Sequence, residues 1–237
     1  MKGVKYSICG NILLIVKVEP LIISNEIELL NFAIKNCEID NSIEGVVFIS
    51  EKNSQIEYRF FNSDGSEEIL CGNSLFAIGE IFCSNQNTLT LTRCGILAKI
   101  SVVSDNIVLQ IEYSLKNLYL NETTFDVGTP HIVMQVSNIY DINWATFNNH
   151  KELNITLFSI INGMAVARTF ERGVNKETFA CGTGAISIFI NSNKKELGIQ
   201  QVEYLKSQCS YQMNSLEFTE KEIRLNMSIL KKNIILL

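Results

Sequence analysis

Two segments, LCGNSLFAIGEIF (Leu70 to Phe82) and ACGTGAISIFI (Ala180 to Ile190), each set a cysteine directly before a Gly-polar pair and an almost wholly apolar run. A thiol presented twice at the start of a buried helix, between related flanks, predicts a two-thiol active site. The first turn of a helix carries backbone N–H groups without partners and about +0.5 of a charge, which favours thiolate and can also hold a carboxylate. Gly72 and Gly182, having no Cβ, let the backbone come close to a ligand. Two such helix starts facing each other would hold an α-carboxylate between them, with Cys71 and Cys181 on opposite sides of the adjacent carbon. One thiolate would then remove the α-proton while the other thiol returns a proton from the far face, inverting the centre. In an empty cleft, the same closeness would allow a reversible disulfide.

The elements that must position these thiols follow from the pattern around them. Leu75, Phe76, Ile78, Ile81 and Phe82 cover every side of one helix, as Ala185, Ile186, Ile188, Phe189 and Ile190 do in the other, so both helices must be enclosed. Strand-like runs rich in β-branched and aromatic residues surround them: Ile12 to Val18, Gly45 to Ser50, Ile56 to Asn62, Thr88 to Thr92, Ala98 to Val103 and Ile107 to Tyr113. A second series follows at His131 to Val136, Ile155 to Asn162, Met164 to Glu171, Gln201 to Leu205 and Ile223 to Ser228. Glu26 to Lys35 reads as a helix capped by Ser24 or Asn25. The predicted fold is α+β, with two pseudo-symmetric β-barrel-like domains each wrapped around a central helix. RFFNSDGSEEILCGNS (Arg59 to Ser74) aligns with RTFERGVNKETFACGTG (Arg168 to Gly184) after a one-residue gap, which supports duplication. The domains are placed at 1–118 and 119–228, with a cleft between them.

Composition limits the function classes. The chain has 237 residues, 46% of them hydrophobic, enough for a substantial core, and its net charge of −5 argues against a nucleic-acid or anionic-membrane surface. The N-terminal MKGVKYSICGNILLIVKV is interrupted by Asn11 and Lys17 and is read as a first strand rather than a signal peptide. Seven cysteines with no CxxC fit a reducing cytoplasm better than a disulfide framework or a zinc site. No GxxxxGK[ST] or GxGxxG motif is present, so nucleotide binding is not expected. No cofactor and no metal are expected, and the partner is a small-molecule amino-acid substrate, with a second copy of the chain left open.

YRFFNSDGSEEILCGN, VGTPHIV (Val127 to Val133) and FERGVNKETFACGTGA (Phe170 to Ala185) resemble the diaminopimelate epimerase family in order and spacing over nearly the whole chain. The resemblance implies two barrels, each around a central helix, with the substrate buried between them. It also implies a last strand that returns to the first domain, so that 229–237 completes 1–118. It assigns Cys71 and Cys181 as the acid/base pair, and Gly72, Asn73, Gly182 and Thr183 as the cradle for the α-carboxylate and α-amino group. Asn11, Asn62, Asn154, Glu171 and Arg172 match further substrate contacts, some at the distal end, and His131 matches a histidine beside the reacting centre. The chain departs from the family pattern at Ser74 and Phe76, which replace Gly and Arg. Thr129 stands where a distal-binding Asn is usual, Gly45 where a Gln is often seen, and Ile12 where Asp is usual. These changes surround the substrate rather than the thiols, so diaminopimelate leads as substrate and another amino acid follows closely.

Several residues carry alternatives. Arg172 either clamps a distal carboxylate bidentately or forms an ion pair with Glu171 or Glu177. His131 is either a satisfied core histidine or a partner of the reacting groups, and His150 is expected at the surface. Cys9, Cys37, Cys83, Cys94 and Cys209 are expected as small buried side chains. Two other functions stay open: an isomerase that uses a carboxylate as its base, and an amino-acid-binding protein without catalysis.

Overall fold

The computed structural model describes residues 1–52, 55–83, 88–94, 96–114, 121, 123–150 and 152–237. Among them, eight strands are followed by eight more with the same pairing rules. The first set is β1 (Val4–Ile8), β2 (Asn11–Lys17), β3 (Gly45–Lys52), β4 (Gln55–Asn62), β5 (Glu67–Glu68), β6 (Leu89–Arg93), β7 (Ile96–Val103) and β8 (Asn106–Ser114). The second is β9 (Thr124–Asp126), β10 (Pro130–Gln135), β11 (Asn154–Ile161), β12 (Met164–Glu171), β13 (Lys176–Glu177), β14 (Gln201–Tyr204), β15 (Ser210–Phe218) and β16 (Glu222–Leu230), after which comes β17 (Ile234–Leu236).

In each set the first strand is antiparallel to the second, and the second is parallel to the third. The third is antiparallel to the fourth, and the fourth is parallel to the sixth. The sixth, seventh and eighth continue antiparallel. Two seams join the sets. β16 pairs with β8 from Glu222↔Ser114 to Leu230↔Asn106, and β17 pairs with β1 from Tyr6↔Leu236 to Ile8↔Ile234.

The described helices are α1 (Pro20–Ile23), α2 (Glu26–Ile39), α3 (Gly72–Phe82) and α4 (Gly182–Lys194). α3 packs against β1, β7, β8 and β17, while α4 packs against β10, β11 and β15. Gly72 to Gly79 and Gly182 to Ser192 are buried without a polar face, as an enclosed helix requires. Their side chains share one apolar core with the inner faces of both strand sets. Outside the first set, α2 lays Leu29, Ala33 and Cys37 onto a second apolar cluster with Val46, Phe48 and Phe61. The predicted fold class thus holds.

Several expectations are corrected. The N-terminal run is a hairpin rather than a single strand: Cys9 and Gly10 take positive φ (52° and 91°), the two-residue turn whose twist suits a tight hairpin. α2 continues past Lys35 to Ile39 because Cys37 extends the stripe begun by Leu29 and Ala33 at four-residue spacing. β15 carries no strand pattern to read, since its side chains do not alternate cleanly and its pairing with β16 shifts between Met213 and Ser215. Cys9 and Cys209 are joined as a disulfide instead of standing as separate buried thiols, and Cys94 is exposed. Cys37 is buried and Cys83 half-buried, and Cys71 and Cys181 are free thiols. The proposed limit between 118 and 119, and the side chain of His150, lie outside the described residues.

A duplicated ion pair holds the loop before each cysteine. Arg59 donates from Nε and Nη2 to the two carboxylate oxygens of Glu67 (2.8 and 2.5 Å), and Arg168 does the same to Glu177 (2.8 and 2.6 Å). These are the residues that match in the internal alignment, and the bidentate geometry fixes orientation as well as distance. Beyond the loops, α3 and α4 meet start to start. A Cβ placed on Gly72 would lie 2.8 Å from the Cα of Gly182, and one on Gly182 would lie 2.9 Å from the Cα of Gly72. Because the obstructing atoms are backbone, no side-chain rotation relieves the clash. Gly72→Ala and Gly182→Ala are each expected to destabilise the fold by about 1–3 kcal/mol through overpacking. Chemical denaturation would measure this, and a midpoint unchanged from wild type would contradict it.

Candidate active site

The contact between the two helix starts puts both thiols in one cleft. Its volume is about 510 Å³, including its open mouth, and Cys71, Gly72, Asn73, Cys181, Gly182 and Thr183 form its floor. Each cysteine is the extended residue just before its helix. The turn first closes onto it four residues later, where Leu75 N–H reaches the Cys71 carbonyl and Ala185 N–H the Cys181 carbonyl. The N–H groups of residues 72–74 and 182–184 are therefore the first-turn donors of α3 and α4. Gly184 N–H donates to Cys181 Sγ at 3.3 Å.

A tyrosine steadies each cysteine's backbone. Tyr58 OH accepts from Cys71 N–H at 3.0 Å, and Tyr204 OH donates to the Cys181 carbonyl at 2.8 Å. The departures at positions 74 and 76 fit this arrangement. Ser74 Oγ lies 2.8 Å from Tyr58 OH and 2.7 Å from the Cys71 carbonyl, while Phe76 is fully buried beside Tyr211. Both are packed into the fold around the thiol and neither lines the cleft.

The predicted polar residues divide into those with groups facing the cleft and those committed to holding the floor. Asn11, Asn62, Thr129, Asn154 and Glu171 all line the cleft. Asn11, however, gives its amide to the Ala180 carbonyl and accepts from Phe179 N–H at 2.9 Å, so it positions the loop before Cys181. Asn73 similarly donates to the Ala180 carbonyl at 3.0 Å and accepts from Tyr211 OH at 2.5 Å. Thr129 Oγ1 donates to the Leu70 carbonyl at 2.8 Å, and Asn154 accepts from Arg172 N–H at 3.0 Å.

His131 is fully buried beneath the cleft. Burial, with Arg172 nearby, lowers its pKa to about 3, so the ring is neutral. Its protons can be assigned by following the chain of hydroxyls. Tyr204 OH uses its hydrogen on the Cys181 carbonyl, so it accepts from Thr169, which accepts from Thr156, which accepts from His131 Nδ1–H (3.2, 3.0 and 2.9 Å in turn). His131 Nε2 is then an acceptor, and Thr183 Oγ1 donates to it at 2.9 Å. Thr183 lies 3.3 Å from Cys181 Sγ, and His131 Nε2 lies 4.0 Å from it. His131 is thus a core histidine that orients Thr183 beside the thiol.

Arg172 pairs with neither Glu171 nor Glu177. Its partner is Glu68, which receives Nε and Nη2 at 3.1 and 2.6 Å, and its Nη1 donates to the Glu152 carbonyl at 2.8 Å. Glu177 belongs to Arg168, and Glu171 accepts from Thr178 Oγ1 at 2.6 Å. Arg172 does not line the cleft, whereas Glu68 and Glu44 do, and neither glutamate is among the residues expected there. The signal for Glu68 is strand alternation: Glu67 turns to Arg59, so its neighbour must face the other way.

Burial dominates the electrostatics. It pushes Cys71 up to about 12 and Cys181 well above the ordinary thiol value, with the nearby Glu171 carboxyl adding to both. Desolvation therefore outweighs the helix starts, and both sulfurs are held as thiols. Burial also raises Glu171 to about 7, against the Thr178 hydrogen bond.

Solved structures with this fold include a phenazine biosynthesis PhzF-family protein from Enterococcus faecalis (TM-score 0.61, 16% identity, 99% of this chain and 97% of that one). Another is a putative phenazine biosynthesis PhzC/PhzF protein from Clostridium difficile (TM-score 0.64, 14% identity, 99% and 96%). At such identity they show the fold. Curated relatives are diaminopimelate epimerases: that of Campylobacter jejuni strain RM1221 is 30% identical over 177 residues (64% of this chain, 69% of the relative). That of a Nitratiruptor species is 29% identical over 214 residues (81% of each), and that of Thermotoga maritima 27% over 176 (67% and 74%). No family model matches the chain. The duplicated fold and its relatives define an isomerase of the epimerase or racemase class. The chain belongs to the diaminopimelate epimerase family. No described helix is long and apolar enough to cross a membrane.

The raised pKa of Glu171 has a consequence for stability. A carboxyl raised from 4.5 to about 7 contributes its full stabilisation below pH 4.5 and loses it as pH climbs through 7, because the unfolded chain ionises first. The empty protein should lose melting temperature across that window, and Glu171→Gln should make the fall shallower. Thermal melts at closely spaced pH values would show an undiminished fall in the variant if Glu171 were not responsible.

Proposed function

We propose that the protein interconverts the enantiomeric configurations of an α-amino acid, with Cys71 and Cys181 as the acid/base pair. The observation that carries this reading is the abutment of two cysteine-headed helix starts on one cleft. The first-turn N–H groups of both helices converge there and receive the substrate's α-carboxylate. Glu171, once ionised, receives the α-ammonium, and Asn62 and Asn154 face the side chain.

Neither sulfur is a thiolate in the empty cleft, so the base forms when substrate binds. The bound α-ammonium favours negative charge at both Glu171 and the sulfurs, and one thiol gives up its proton. The released proton leaves to bulk solvent as the substrate enters, and the thiolate then takes the hydrogen from Cα as a proton, leaving a carbanion whose charge spreads into the α-carboxylate. The helix starts stabilise this charge more than they stabilise the substrate, which is what lowers the barrier. The opposite thiol then protonates Cα from its own side. Net, one sulfur has gained a proton and the other has lost one, so the reverse reaction starts with the roles exchanged. Thr183, fixed by His131, and Tyr58 and Tyr204, on the cysteine backbones, keep the two sulfurs aimed at one atom.

The relatives' name makes diaminopimelate the reference substrate for assay. In deuterated water, the protein should exchange the Cα hydrogen of its amino acid and build up the opposite configuration. Cys71→Ala and Cys181→Ala should each lower kcat for inversion by about 10²–10⁴-fold, the contribution of one positioned acid or base. Inversion at wild-type rate in either variant would refute the two-thiol mechanism.

A further inference from the structure

We propose that Glu68 sets the substrate class of the cleft: its carboxylate occupies Arg172 from within the protein, so the site selects α-amino acids whose side chain ends in a cationic or hydrogen-bond-donating group over those carrying a second carboxylate. This rests on the reading of the cleft as an amino-acid epimerase site and deepens it.

Four observations converge. First, the guanidinium is engaged on all three of its nitrogens, by Glu68 through Nε and Nη2 and by the Glu152 carbonyl through Nη1. A distal carboxylate would have to displace Glu68 to reach it. Secondly, Glu68 lines the cleft and Arg172 does not, so a ligand meets the anion before the cation. Thirdly, the described lining contains three carboxyl groups, those of Glu44, Glu68 and Glu171, and no lysine or arginine side chain. Glu44 is paired with Lys176 at 3.0 Å, which also stands outside the lining. Fourthly, every described hydrogen bond of Glu68, including the 3.5 Å one from Asn62 Nδ2, falls on Oε1. Oε2 accepts none among the described residues and is open to a donor.

The internal repeat explains how this arose. Asn62 and Glu68 of the first set stand where Glu171 and Thr178 stand in the second, by the same alignment that matches Arg59 with Arg168 and Glu67 with Glu177. Each repeat thus pairs one carboxyl with one neutral polar partner across its turn, at 3.5 Å and 2.6 Å. Both carboxyls line the cleft, with Glu171 assigned to the α-ammonium and Glu68 to the far end of the side chain.

The test is Cα deuterium exchange over a panel of LL-diaminopimelate, L-glutamate, L-lysine, L-ornithine, L-histidine and L-glutamine, with wild type and Glu68→Gln. For wild type, the best one-carboxylate substrate should exceed LL-diaminopimelate in kcat/KM by at least 100-fold. Glu68→Gln should raise kcat/KM for LL-diaminopimelate at least tenfold while lowering it for the preferred substrate, an opposed response that misfolding cannot produce. If wild type prefers LL-diaminopimelate, or if Glu68→Gln moves both substrates in the same direction, the inference fails while the two-thiol reading stands. Exchange with no panel member would overturn both.

Discussion

The two glycines at the heads of α3 and α4 are pressed together backbone to backbone, and this contact fixes everything the cleft can do. Helix starts that meet so closely bring their first-turn N–H groups and both cysteines to one small volume. The rest of the molecule can be read as what is needed to hold them there. Each helix must be apolar on every side because a barrel-like sheet encloses it, and each cysteine is held at its backbone by a tyrosine. Tyr58 with Ser74 serves one side, and Tyr204 with Thr169 the other. Ser74 and Thr169 thus give the two tyrosines a hydroxyl partner from different elements, since Gly184, packed on Tyr204, leaves no room for a side chain where Ser74 stands in the first repeat.

Burial of the sulfurs and carboxyls makes their charges interdependent. Burial drives the sulfurs and Glu171 toward their protonated forms, so the empty site is poised against the ions that the chemistry needs. On the reading proposed above, it is the ammonium and carboxylate of a bound amino acid that shift this balance.

Much of this was legible in the residues. The cysteine-glycine segments, the all-round apolar helices and the internal alignment around Arg59 and Arg168 point to the duplicated fold, because each is a local pattern repeated with its spacing intact. What was not legible depends on partners far apart in the chain. Arg172 and Glu68 are separated by 104 positions, and nothing near either residue marks them as a pair. Asn11 and Asn73 carry the right chemistry for touching a ligand, yet both serve the Ala180 carbonyl. The Cys9–Cys209 bond joins two turns that only the finished fold brings together. β15 is hidden for a different reason, because its irregular register erases the alternation that reveals a half-buried strand.

The seams between the repeats determine the order in which this molecule can be assembled. β1 is completed by β17, and β8 by β16, so the outer strands of the early repeat wait for partners made at the far end of the chain. During synthesis, those strands leave the ribosome with open edges and stay so until residues 222–236 arrive. Contacts this distant in sequence form slowly, and open strand edges invite association meanwhile. The architecture that closes one sheet around both helices thus carries a long interval of vulnerability to aggregation while the polypeptide is being made.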